Sequence, residues 1–295
     1  MKHSTGERNF SRHLLSATVA LTAVAVGANV CPVLEAQSVP VFEVASIKPH
    51  PSGDRSGAVP QFMPGGRFHV AGLPLQFTIA FAYNLPFQGT QLSGGPAWIR
   101  SQEDAYDIEA KADLATLKDL SPQEREDKLR LMLQALLAER FGLTILRETK
   151  EQPIYILTVA KNGPKLQKSA LDPKDCDDPA SHCHAGGSGQ GRGIHVKAFR
   201  MADLAVSVSN FTDRPLIDRT GLAGLYDIDT EGWVPLRPRP PRPPGQEPTA
   251  EDVAFADPAR PTLFMIFDKL GLKMESSRAN VEMFVIDRVE KPTAN

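Results

Sequence analysis

LLAERFGLTILRETKEQPIYILTV, residues Leu136–Val159, carries the reading that decides the fold. Its first part closes a helix. Leu129, Met132, Leu133, Leu136, Leu137 and Phe141 recur at threes and fours, which makes one buried stripe, and Gly142 supplies the stop. The start of that helix is equally marked. Ser121 can cap the free N–H groups, Pro122 suits the first helical position, and Glu124 completes a capping box. After Gly142, Thr144–Glu148 and Ile154–Val159 read as two strands, with Glu151-Gln152-Pro153 as a hairpin connection between them.

A second stretch, LFMIFDKLGLKMESSRANVEMFVID (Leu263–Asp287), has the same order: helix, Gly-Leu turn, then strands at Leu272–Glu275 and Val281–Asp287. Working outward, the correspondence widens. Phe68-His69-Val70 matches Ile194-His195-Val196, the helix at Leu75–Tyr83 matches that at Met201–Asn210, and Tyr106-Asp107-Ile108 matches Tyr226-Asp227-Ile228. Matched positions lie about 120 to 130 residues apart. The order strand–helix–strand–helix–strand–strand thus occurs twice. It predicts an α+β fold of two related modules, each packing two helices on one face of a mainly antiparallel sheet. Phe42–Lys48 alternates as a further strand, Pro49–Gly66 reads as a turn-rich loop, and Leu216–Asp218 as a short strand.

The N-terminus has the three parts of an export signal. Lys2, Arg8 and Arg12 precede an uncharged apolar run, Leu14–Val26, and helix breakers lead to Ala36. The run is short of the roughly 20 apolar residues that a membrane span needs. The expected division is a signal peptide over 1–36, a first module over 37–163, a loop over 164–192, and a second module over 193–295. The last contains a Pro/Arg-rich insertion, 235–248, which cannot pack as helix or central strand. The mature chain is then secreted or periplasmic, with no membrane span left after cleavage. A formal charge of −2 argues against a nucleic-acid partner, and 41% hydrophobic residues support a substantial core.

If Cys31 leaves with the signal, Cys176 and Cys183 remain. In an oxidising compartment such a pair reads as a disulfide. The rival is a metal site built from Cys176, His182, Cys183 and His184, but three of those four crowd into consecutive positions, unlike the spaced pairs of zinc sites. The run Gly186–Gly193 invites a phosphate-loop reading. A long loop precedes it and a strand follows, whereas a phosphate cradle needs the reverse context, so it reads as flexible loop. Asp107 and Glu109 share a strand face that reads as solvated, and His69 and His195 read as outward polar positions. No catalytic residue, metal or cofactor is assigned. The candidate partner-binding residues are Arg214, Asp218 and Arg219, in a segment dense in charge and turns, and Arg237, Arg239 and Arg242 in the proline insertion. Local ion pairs are the competing account of the first three.

The phrases FEVASIKP, PGGRF, GGPAWI, YDIEAKA, LLAERFGL, RETKEQPIYILTVAKNGPKL, RPLIDRTGLAGLYDI and VEMFVIDRVEKPTAN together resemble a large soil-associated family of uncharacterised secreted bacterial proteins, built on a domain of unknown function. The resemblance runs from about Phe42 to Asn295. It implies export and brings no catalytic residues; some relatives carry the domain beside membrane metallopeptidase-type sensor regions. The stretch Leu263–Asp287 also resembles the small helix–strand modules at the N-termini of secretins and outer-membrane receptors, which bind other proteins. The expectation is a non-catalytic extracytoplasmic binding or interaction module whose partner is a protein or an envelope component. The alternative is a secreted hydrolase acting on cell-wall or environmental polymers.

Overall fold

The computed structural model describes residues 39–51, 53–54, 56–172, 176, 183, 185–236 and 259–292. The expected signal peptide and most of the proline insertion, with Arg237, Arg239 and Arg242, lie outside the described residues. The elements run β1 (Val44–Pro49), β2 (Ala58–Met63), β3 (Arg67–Leu73), α1 (Leu75–Ala82), β4 (Leu92–Gly94), β5 (Tyr106–Lys111), α2 (Pro122–Phe141) and β6 (Thr144–Val159). They continue with β7 (Gln167–Lys168), β8 (Ala185–Gly189), β9 (Gly193–Phe199), α3 (Met201–Ser209), β10 (Leu216–Asp218), β11 (Tyr226–Asp229), α4 (Leu263–Lys269) and β12 (Leu272–Arg288).

The fold is α+β, with three mainly antiparallel sheets in the orders β1-β5-β3-β2, β10-β6-β12-β4 and β7-β11-β9-β8. Helix α2 forms as its signals require. Ser121 and Glu124 make the reciprocal capping box, and Gly142 closes the helix at φ +59°. The six residues of the apolar stripe are all buried.

Two expectations are corrected in the middle sheet. Glu151-Gln152-Pro153 is not a hairpin turn, because β6 runs unbroken for 16 residues. Likewise Leu272–Glu275 and Val281–Asp287 are one strand, β12, of 17 residues. The two pair antiparallel from Leu272↔Val159 to Arg288↔Thr144. Pro153 is tolerated for a geometric reason. The Tyr155 N–H points outward to the Pro215 carbonyl. Two residues earlier on the same strand, the Pro153 nitrogen faces the same way, off the β12 ladder, where a missing N–H breaks no bond.

This length has a consequence for packing. Tyr155 and Leu157 of β6 join Leu272 and Met274 of β12 in a core with α3 and α4. At the other end, Ile286 of β12, with Leu143 and Ile145 at the start of β6, packs in a core with α1 and α2. Each long strand therefore serves one core with its first half and the other with its second, crossing near the pair Glu151↔Asn280. We call these the second and first lobes. All the described residues fall in one compact unit, Val39–Asn295. Arg200 of the α3 N-cap adds an ion pair to Glu126 of α2 at 2.9 Å. Burial of Arg200 opposes its charge, yet the carboxylates of Asp203 and Glu126 hold its pKa above the usual value.

The repeated Tyr-Asp-Ile motif has a structural role beyond a solvated face. In the first lobe β3 bulges between Val70 and Leu73. Gly72, at φ +62°, sits in that bulge, and its N–H donates to Asp107 Oδ1 at 2.9 Å. In the second lobe the N–H of Ala198, at φ +54°, donates to Asp227 Oδ1 at the same 2.9 Å. Asp107 Oδ1 also accepts from His50 Nδ1 at 2.8 Å, and that imidazole is only 7% exposed. Asp107→Ala is thus expected to strand two donors and Asp227→Ala one. At about 1–3 kcal/mol for each buried group left unpaired, urea unfolding is expected to rank Asp107→Ala as the more damaging.

Candidate functional site

The outer face of the β7-β11-β9-β8 sheet holds an open groove of about 530 Å³. Strand alternation decides what lines it. On β9, Ile194, Val196 and Ala198 turn into the core, while His195 and Lys197 turn out. On β11, Tyr226 and Ile228 turn in, and Asp227 and Asp229 turn out. Strand β8 reads Ala-Gly-Gly-Ser-Gly. Its Ser188 hydroxyl meets the Ser207 hydroxyl of α3 at 3.2 Å, so Ser188 faces inward. Ala185 and Gly187 then lie on the outer face, opposite Lys197 and His195. One edge of the sheet consequently contributes a methyl group and a hydrogen where side chains would otherwise stand.

The first lobe shows the contrast. There Gln61 and Met63 of β2 stand opposite His69 and Arg67, so side chains stand where β8 leaves space. At the other edge of the groove β7 has two residues, against six in β1. The chain before β7 adds Lys165 and Leu166, and Leu270 closes that end.

The glycine run is therefore not the flexible loop expected from its composition. Ala185–Gly189 is strand β8, and Gln190-Gly191-Arg192 turns the chain into β9. The sequence did hold a signal for it: a three-residue Gly-containing turn followed at once by the alternating Ile-His-Val-Lys-Ala. Strand β2 likewise replaces part of the loop expected over Pro49–Gly66, and β7 part of that expected over Pro164–Arg192.

The groove carries charges of both signs, Lys165 and Lys197 against Asp227 and Asp229. Asp227 is committed to the Ala198 N–H at 2.9 Å. Asp229 Oδ1 lies 3.3 Å from His195 Nδ1, and His195 Nε2 lies 2.8 Å from the Arg192 carbonyl. The equivalent His69 faces Glu109 at 3.6 Å. The two histidines are thus outward, cross-strand partners of carboxylates, each in its own sheet. Lys165 and Lys197 have no side-chain partner among the described residues. The lining contains no serine, threonine or cysteine.

Of the residues singled out as partner-binding, Arg214, Asp218 and Arg219 do not line this groove. Arg214 is held by Asp213, with Nη2 at 2.7 Å and Nε at 3.0 Å, and its guanidinium lies 4.8 Å from the Tyr155 ring centre. Burial pushes the Tyr155 hydroxyl pKa up, and its hydrogen bond to Asp213 pushes it further. Burial opposes ionisation of Asp213, but hydrogen bonds from Arg214 and Tyr155 outweigh it and hold that carboxyl below its ordinary value. Asp218 Oδ1 accepts from the Thr220 N–H at 2.9 Å and from its hydroxyl at 2.8 Å, a local turn. Arg219 uses its backbone N–H on the Leu157 carbonyl, and its side chain is exposed.

Cys176 and Cys183 form a disulfide with their Cα atoms 5.2 Å apart. With both sulfurs in that bond, neither is a thiolate ligand, and the described residues contain no group of three or more potential metal ligands. His182 and His184 of the alternative metal reading lie outside the described residues.

No curated protein and no solved structure matches the chain. Residues 76–289 match the family described as protein of unknown function (DUF3738), and the chain belongs to that family.

Proposed function

We propose that this protein is an exported, non-catalytic binding module that works outside the cytoplasm, with the groove of the second lobe as its ligand seat. The observation that carries the reading is the construction of that groove. A glycine strand clears its floor, it opens to solvent, and its lining holds no serine, threonine or cysteine. Export is supported by the charged and apolar pattern ahead of Gln37 and by the disulfide, a bond that persists in oxidising compartments. Among the described residues, no helix is long and apolar enough to cross a membrane. The same reading takes 37–163 and 193–295 as two modules that exchange their last strands, and the partner as a protein or an envelope component.

The test is native mass spectrometry of the purified mature chain after incubation with a low-mass digest of cell envelope. Wild type is expected to keep a one-to-one adduct that Ala185→Trp loses, because Ala185 stands beside Lys197 on the groove face. N-terminal sequencing of the exported form is expected to begin at Gln37. Turnover of chromogenic ester, peptide or glycoside substrates, present in wild type and lost in Ala185→Trp, would replace the binding reading with the hydrolase one.

A further inference from the structure

We infer that two copies of this chain pair edge to edge through β6, antiparallel about a two-fold axis at Thr149, and so join their middle sheets into one; the surface is separate from the groove. The edge is open. In the middle sheet β10 covers β6 only along Tyr155–Leu157. Among the described residues no strand pairs with that edge of β6 before Tyr155. Leu146 to Glu151 are all exposed. The Tyr155 N–H points to this side, toward the Pro215 carbonyl. Backbone groups alternate along a strand, so those of Arg147, Thr149 and Glu151 point the same way and are what a further strand meets.

Charge order decides what that strand is. Charges on an exposed edge ordinarily keep other strands away. Here the order Arg147-Glu148-Thr149-Lys150-Glu151 is complementary to itself when reversed. About Thr149, Arg147 meets the second copy's Glu151, and Glu148 meets its Lys150, each contact occurring twice. Every other two-fold centre within these five residues fails for one reason. The central residue stands opposite itself, and all of them except Thr149 are charged. Opposite charges across a strand pair are favourable and like charges unfavourable. Backbone direction agrees with this register. Thr149, pointing outward, makes the central hydrogen-bonded pair, and Glu148 and Lys150 fall in the flanking non-hydrogen-bonded pairs, where side chains are closest. Pro153 stands opposite Ile145 with no N–H to give, which ends the ladder. The ion pairs within the chain fit the arrangement. Arg147 reaches Glu282 of β12 at 3.3 Å, and Arg278 of β12 reaches Glu151 at 2.8 Å. The row across the joined sheets then runs Glu282, Arg147, Glu151, Arg278, with signs alternating. Glu148 and Lys150 touch along their own strand at 2.5 Å, and both side chains stay about half exposed to a second copy.

The test is sedimentation equilibrium of the purified mature chain. Wild type is expected to show a reversible monomer–dimer equilibrium that weakens as salt is raised. Glu148→Lys and Lys150→Glu are each expected to weaken the dimer about tenfold, because two like-charge contacts replace two attractive ones. An equimolar mixture of these two variants is expected to dimerise about as tightly as wild type, since one copy then presents two cations where the other presents two anions. Thr149→Pro is expected to abolish the dimer while far-UV circular dichroism stays unchanged, because it removes an outward N–H and leaves the β12 ladder whole, as Pro153 does. Ala185→Trp, at the groove, is expected to leave the dimer as it is. A wild type that stays monomeric up to about 1 mM would overturn the inference. So would a dimer that both charge reversals retain in full, which places the interface elsewhere. A mixture that dimerises no more tightly than either variant alone would overturn the register at Thr149 and the inference with it.

Discussion

Truncating Leu133 to alanine is expected to lower the unfolding midpoint reported by Trp233, although the two residues sit in different cores. Leu133 is fully buried in the first lobe and Trp233 fully buried in the second. Removing the Leu133 side chain costs about 2–5 kcal/mol at its own site. That cost reaches the second lobe because β6 and β12 belong to both. The first lobe cannot unfold while Ile145 and Ile286 stay in place, and those residues are continuous with Leu157 and Met274 in the other core. The Arg200–Glu126 ion pair and the Gln88 N–H to Asn210 Oδ1 bond at 3.2 Å add further ties between the halves. The chain has two tryptophans, so a Trp98→Phe background leaves Trp233 as the only indole. In urea, the Trp233 fluorescence and the far-UV circular dichroism are expected to move together, in one transition, when Leu133→Ala is added. A Trp233 midpoint that stays put while the dichroism splits into two steps would show independent modules joined by a passive linker.

The parts of this architecture that were legible in the sequence are those set by local chemistry. Ser121, Glu124 and Gly142 bound α2 through contacts within a few residues, and its apolar stripe needs no partner to be recognised. The two long strands were half legible. Their alternation was plain, but Glu151-Gln152-Pro153 carries the composition of a turn. Only the neighbour β10, which lies beyond β9 and α3 in the chain, reveals that this proline faces the open side of the strand. Asp107 reads as solvated from the sequence, and the recurrence of Tyr-Asp-Ile shows no cause there, because the cause is a positive φ at Gly72 and Ala198, far away in sequence. The candidate site was the least legible part. Lys165, Lys197, Asp227 and Asp229 form one surface only after four strands have paired. The segment chosen instead, Asp213–Gly221, is charge-rich because its charges satisfy one another and its own turns.

Gly186→Ala is expected to be strongly destabilising, and its neighbour Gly187→Ala nearly silent. Composition treats the neighbours alike; the backbone does not. Gly186 has φ +106°, and a Cβ there would stand 2.0 Å from the His195 carbonyl oxygen on the paired strand. The left-handed backbone alone costs an ordinary residue about 1–2 kcal/mol. Relieving the overlap requires β8 to part from β9, which surrenders ladder hydrogen bonds at about 1 kcal/mol each. A loss of roughly 3 kcal/mol or more is therefore expected from thermal or urea unfolding. Gly187 has no positive φ and open space around its Cβ. Alanine there restricts the unfolded chain and is expected to change stability by less than about 1 kcal/mol, in the stabilising direction. Hydrogen exchange adds a readout specific to the site. In Gly186→Ala, amides of Ala185–Gly189 and Gly193–Phe199 are expected to lose protection while those of α2 keep theirs, because the damage begins at the groove floor. Equal effects from the two alanines would mean that β8 is not a paired strand. The cleared floor, and the groove that depends on it, would then have no structural basis.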